Sequence, residues 1–127
     1  MKYAVVAVLI AVVLAAGCIG QNAPPTGGSV SGTPTDGQIL EFYGAECPHC
    51  INMVPIVEQV EKETGITVVR LEVWYNETNK AKMTEYKDMI TAGCNGSFGV
   101  PAFVNLNTGK SVCGELTADE LKAFIAG

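Results

Sequence analysis

From Gln38 to the C-terminus, apolar residues come in short runs whose spacing switches between strand-like and helix-like. The stretch QILEFYG has a strand composition and stops at Gly44. Positions 48–64 predict a helix, because Pro48 fits a first turn where a missing N–H costs little and Gly65 follows as a stop. ITVVRLEVW is rich in β-branched residues and predicts a second strand. NKAKMTEYKDMITAG places Met83, Tyr86 and Ile90 on one face and ends at Gly93, so a single further helix is expected there. PAFVNL and KSVCG predict two strands around the turn signal Asn107-Thr108-Gly109. In TADELKAFIAG, Thr117 as N-cap with Glu120 three residues on makes a capping box, and Leu121, Phe124 and Ile125 form the buried stripe. The predicted order is β-α-β-α-β-β-α. Strands joined by a helix call for a right-handed parallel crossover, and the last two strands must be antiparallel. An α/β fold with a four-stranded mixed sheet flanked by helices satisfies both.

The pattern is different upstream. MKYAVVAVLIAVVLAAGCIG carries one lysine, then an unbroken apolar run of 14 residues from Tyr3 to Ala16, then Gly17-Cys18. As a helix that run spans about 21 Å, short of a bilayer core of about 30 Å. A short apolar core followed by small residues reads as a secretory signal. With its cysteine directly after Ala15-Ala16-Gly17, the stretch resembles a lipoprotein signal, which implies lipidation at Cys18. An uncleaved anchor helix is the alternative. QNAPPTGGSVSGTPTDG follows, with Asp36 its one charge and almost no bulky apolar residue, so it is expected to be a flexible linker. The expected organisation is a signal or anchor segment over 1–17, a linker over 18–37 beginning at Cys18, and one domain over 38–127.

Charge narrows the function classes. The net charge is −5, and the basic residues beyond Lys2 are scattered, so neither nucleic-acid binding nor attraction to anionic lipid has electrostatic support. Of five cysteines, Cys18 belongs to the leader, leaving Cys47, Cys50, Cys94 and Cys113. An even number in an exported domain fits two disulfides.

The chemistry concentrates in GAECPHCINMVP, residues 44–55. A thiolate, not a thiol, attacks a disulfide. Cys47 is expected at the N-terminus of the first helix, where unpaired N–H groups and the positive dipole end stabilise an anion. Cys50, one turn on, lies nearer the interior and reaches back to Cys47. The exposed Cys47 thiolate would form a mixed disulfide and Cys50 resolve it, or the reverse. A purely structural bond between them is disfavoured, since a loop this short stabilises little. A zinc site would need Cys94 and Cys113, or His49, as its second half; they form no second CxxC. His49, the chain's only histidine, favours thiolate at Cys47 when protonated, whereas Glu46 opposes it.

CPHC at a strand-to-helix junction, followed about fifty residues later by GVP opening a hairpin, resembles the thioredoxin family. The likeness runs from Gln38 onward and lacks that family's extra N-terminal strand and helix. It implies that Cys47 and Cys50 are the catalytic pair, that Pro101 is a cis-proline docking the substrate chain, and that Pro55 kinks the active-site helix. The Pro48-His49 dipeptide and Val100 resemble DsbA-type disulfide oxidases within it, which implies redox tuning by Pro48 and His49 and substrate docking at Val100 and Pro101. The interval from Cys50 to Pro101 has no room for the helical insertion of those oxidases. The family's buried acid falls at Glu41, whose apolar flanks Leu40 and Phe42 would lift its pKa and let it exchange a proton with Cys50.

Cys94 and Cys113 are expected to form a structural disulfide pinning the Pro101 loop; a second exchange pair is the competing role. Asn76-Glu-Thr and Asn95-Gly-Ser fit the glycosylation pattern. Ile51, Met53 and Ile56 offer an apolar contact surface or core packing, and Trp74 reads as packing. The expected protein is a thiol–disulfide oxidoreductase on the extracytoplasmic face of the cell membrane, tethered through its N-terminus. Its partners would be protein thiols or disulfides and a membrane or extracytoplasmic redox protein, with no cofactor, metal or nucleic acid. A reductase fed by a membrane donor, and a metal-binding or carrier lipoprotein, are the alternatives.

Overall fold

The computed structural model describes residues 38–127. The expected leader, the lipidation at Cys18 and the linker lie outside the described residues. The elements are β1 (Ile39–Tyr43), α1 (Pro48–Thr64), β2 (Val68–Glu72), α2 (Glu77–Glu85), α3 (Lys87–Gly93), β3 (Ala102–Asn105), β4 (Lys110–Cys113) and α4 (Ala118–Ala126). The sheet order is β2-β1-β3-β4. β1 runs parallel to β2 and antiparallel to β3, and β3 and β4 form the hairpin. Among the described residues, no helix is long and apolar enough to cross a membrane.

Alternation along each strand divides the core in two. On one face Ile39, Val68 and Phe103 meet Met53, Val57 and Val60 of α1 and Leu121 and Ile125 of α4. On the other, Leu40, Phe42, Ala102 and Val104 meet Met83 and Ile90 of α2 and α3. Full burial of side chains of this size contributes about 1.5–3 kcal/mol each, so these two layers hold the sheet's ends in place. α1 ends as expected at Gly65, whose φ of 72° suits glycine and whose N–H bonds Glu61 O. The α4 capping box is present, with Thr117 Oγ1 accepting from Glu120 N and Glu120 accepting from Thr117 N. Leu121 and Ile125 are buried, but Phe124 is only half-buried. Buried Asn105 donates to Phe124 O and Ile125 O and accepts from Asn107 N and Thr108 N, tying the end of α4 to the hairpin turn.

One expected element is two. The helix read from NKAKMTEYKDMITAG breaks at Tyr86 (φ −98°, ψ 12°) into α2 and α3. The break lets the Tyr86 ring pack on Phe42, centroids 6.1 Å apart, while α3 lies close against β4. Ser111 Oγ donates to Met89 O, and a Cβ on Gly93 would fall 2.2 Å from Ser111 O. Glycine at the end of α3 permits that approach. The second strand is also shorter than its β-branched run, ending at Glu72 rather than Trp74.

Candidate active site

The site lies where β1 gives way to α1. Gly44–Glu46 turn the chain, with Cys47 N donating to Gly44 O. Cys47 is the N-cap of α1 and Pro48 follows inside the first turn, so no N–H is lost there. The Cys47 sulfur occupies the place of a capping oxygen and accepts from Cys50 N at 3.4 Å. The orphan N–H groups and dipole end of the helix are thereby directed at the sulfur that would carry negative charge. On its other side the Cys47 thiol donates to Val100 O at 3.9 Å. Val100 precedes Pro101 through a cis peptide bond. Pro101 is buried, and its carbonyl accepts from Gly114 N just after β4. The structure thus brings Cys47, Cys50, Val100 and Pro101 together, across more than fifty residues of sequence.

Cys47 was expected to be exposed. It is 4% exposed, because it is tucked between the helix start and the Val100 carbonyl. Cys50 is buried beneath it, and both are free thiols. Burial pushes the Cys50 thiol up to about 12, and its contact with Cys47 adds to the rise; a backbone hydrogen bond with Gly44 opposes it, and charge at Cys47 and Glu41 reinforces it.

Glu41 is fully buried on the α1 face of the sheet, the face it shares with Ile39. Burial raises its carboxyl above the usual range, and the Arg70 guanidinium pulls it part of the way back. Glu41 and Arg70 are register partners on β1 and β2, joined from Arg70 Nε to Glu41 Oε2 at 2.5 Å. The other oxygen, Oε1, has no hydrogen-bond partner among the described residues. Reading the sequence overlooked Arg70. Its signal was present: it is the one cation in ITVVRLEVW, on the same face as Val68, and so opposite Glu41 once β1 and β2 pair in parallel.

His49 has a partner that the sequence did not suggest. Its Nδ1 lies 2.5 Å from Glu115 Oε1, which also accepts from Asn52 Nδ2 at 3.0 Å. The His49 contact, then Asn52, hold the Glu115 carboxyl below its usual range. Glu46, expected to act on Cys47, is engaged by the Tyr75 hydroxyl at 3.0 Å. Glu72 accepts from four backbone N–H groups, of Ala45, Trp74, Tyr75 and Asn76. Burial pushes its carboxyl up, but these bonds together outweigh that and hold it below the usual range. They bind the segment after β2 to the turn before Cys47. Trp74, expected to pack, does so on one side only: its indole leaves no room for a Cβ on Gly44, yet it is 44% exposed. Tyr75 is 69% and Ile51 54% exposed, whereas Met53 is buried and Ile56 half-buried.

Cys94 and Cys113 are bonded to each other, Cα atoms 5.5 Å apart. The second half of a zinc site is therefore occupied by a disulfide. Among the described residues, no three His, Cys, Asp or Glu side chains are grouped to hold a metal.

No protein-family model and no curated protein matches this chain. Solved structures do. An N21Q mutant thioredoxin from Halobacterium salinarum NRC-1 is 27% identical with a TM-score of 0.52, over 68% of this chain and 69% of that one. Chloroplastic thioredoxin z is 22% identical with a TM-score of 0.51, over 75% and 78%. The glutaredoxin of Archaeoglobus fulgidus is 23% identical with a TM-score of 0.48, over 71% and 87%. The mixed sheet β2-β1-β3-β4, with a cysteine pair at the start of α1, has the thioredoxin-like fold.

Proposed function

We propose that the protein is a thiol–disulfide oxidoreductase in which Cys47 attacks, or is attacked by, a partner sulfur and Cys50 resolves the mixed disulfide. One observation carries this: Cys47 caps α1 through its sulfur while Cys50 lies buried one turn on with its thiol pushed up to about 12. Two like sulfurs in such unlike surroundings suit unlike roles. In the reducing direction, the Cys47 thiolate attacks one sulfur of a partner disulfide, and the other leaves as a thiolate that takes up a proton. Cys50 must then lose its proton to attack Cys47. Glu41, buried on the α1 face and near enough for its charge to raise the Cys50 thiol, supplies a base for it. Closure of the Cys47–Cys50 bond releases the second partner thiol. The partner gains two electrons and two protons; the pair loses two electrons and the Cys50 proton, and the other proton comes from solvent, where Cys47 left it on ionising. The oxidising direction is the same path reversed, and no bound group is needed.

Val100 and Pro101 form the docking edge, and Pro48 and His49 tune the pair. Support comes from the thiol–carbonyl contact at Val100 and the placement of Pro48 and His49 in the first turn. The Cys94–Cys113 bond is structural, holding the end of α3 to the end of β4. Protein thiols and disulfides are the substrates, with a membrane or extracytoplasmic redox protein recycling the pair. The domain works outside the cytoplasm, tethered through Cys18 or an anchor helix. The leader pattern and a disulfide remote from the site support that location; recovery of the full chain in the soluble cell fraction would overturn the tether.

The exchange reading is tested with Cys50→Ser and a protein disulfide. The variant should accumulate a covalent adduct at Cys47, seen by mass spectrometry and cleared by dithiothreitol, whereas Cys47→Ser should form none. Adducts of equal yield on both variants would defeat the assignment.

A further inference from the structure

Four consecutive residues, beginning with the last of β4, each tie the chain to a different part of the molecule. Cys113 is bonded to Cys94, Gly114 N donates to Pro101 O, Glu115 accepts from His49 and Asn52, and Leu116 N contacts Met53 Sδ at 3.2 Å. Gly114 makes the bend between them, with a φ of 91° that a side chain would resist. This clasp joins the docking edge to the first turns of α1, and through Glu115 it reaches His49, between the two cysteines. Resting on the exchange reading above, we propose that Glu115 is a positioning residue that masks the charge of His49 and so sets the redox equilibrium of the Cys47–Cys50 pair.

The physical argument has three steps. An ionised carboxylate only accepts, so in this contact the proton lies on His49 Nδ1. His49 stands two residues from Cys47 in the same first turn, where a positive charge favours the anionic sulfur of the reduced pair. Pairing that charge with Glu115 cancels much of its field at the sulfur. Asn52 holds the same carboxylate oxygen from the next turn and keeps the arrangement in register. Glu115 thus acts through His49, and its removal should favour the dithiol form only where the histidine is present.

The test is a double-mutant cycle on the full chain: wild type, E115Q, H49Q and E115Q/H49Q, each equilibrated with reduced and oxidised glutathione. The reaction read is protein dithiol plus glutathione disulfide giving protein disulfide plus two glutathione thiols. The measurement is made at pH 6, on the acid side of neutrality. There, E115Q should shift the equilibrium toward the dithiol by roughly three- to tenfold, up to about 30 mV. In the H49Q background the same substitution should shift it by much less. A merely structural role for Glu115 would not produce that dependence on His49. No shift in E115Q, or an equal shift in both backgrounds, overturns the proposal and leaves the exchange reading standing. Failure of the wild type to equilibrate with glutathione brings down that reading and this inference with it.

Discussion

Glu41 is costly to the fold, because a carboxyl is buried under α1 with one oxygen unpartnered among the described residues. Its folded-state pKa is raised, by burial first, so the native state holds its proton more tightly than the unfolded chain. The resulting stability is fully present below the unfolded value, near 4.3, and is lost as pH rises through the folded value. Replacement by leucine removes both the penalty and the pH step. Arg70 is not stranded by the change, since its half-buried side chain can swing its head toward solvent. Glu41→Leu should therefore be more stable than wild type at pH 7 by ~1–3 kcal/mol, the usual cost of an unsatisfied buried polar group. Urea unfolding at pH 4 and pH 7 measures it: the gain should shrink at the lower pH. The same variant should release trapped partner thiol more slowly, since it lacks the base proposed for Cys50. A variant that is less stable at pH 7 and resolves at wild-type speed would show that Glu41 serves only to pair with Arg70.

At the scale of elements, the disulfide and the clasp carry the argument. The Cys94–Cys113 bond closes a separation of 19 residues, and a loop near that size contributes about 3 kcal/mol through the unfolded state. Cys94→Ser with Cys113→Ser should lower the urea midpoint accordingly. It should also loosen the Pro101 edge, read as faster amide exchange at Gly114, whose N–H bonds Pro101 O. Unchanged stability would mean that core packing around Ile90 and the close approach of Gly93 to Ser111 hold α3 to the sheet without the bond. Most elements were legible because their local signals agree: Pro48 and Gly65 bracket α1, the Thr117 box opens α4, a strand composition ending at Gly44 marks β1, and the Asn107-Thr108-Gly109 turn signal marks β3 and β4. The break at Tyr86 was not. Nothing in KMTEYKDM stops a helix, and the bend is imposed by Phe42 and by the close approach of Gly93 to Ser111. The site divides the same way. Cys47, Cys50 and Pro101 stand out as residue types in an order, whereas Arg70 and Glu115 are ordinary surface types until β1 pairs with β2 and the clasp folds over α1. Gly44 likewise looks like a plain strand stop, and only the indole of Trp74 explains why nothing larger fits there.

For the whole molecule, charge bears on the proposed membrane tether. The chain carries −5 overall, and its lysines and arginine are dispersed rather than clustered. Several are already paired: Lys122 with Glu63 and Asp119, Lys80 with Glu77, Lys82 with Glu85 and Arg70 with Glu41. Such a surface is repelled by anionic headgroups, and no described helix is apolar enough to span a bilayer. The tether proposed above then rests on residues before the domain, either acyl chains on Cys18 or the apolar run itself. These two anchors respond differently to one substitution. If Cys18 carries lipid, Cys18→Ala should move the protein from the membrane fraction to the soluble one or leave it as a longer, unprocessed precursor. If the run is an uncleaved anchor, the variant should stay membrane-bound at unchanged mass. In both cases 0.5 M salt should release nothing from the wild type, because no ionic attraction is being screened. Release by salt would place the attachment on the folded domain and contradict its charge.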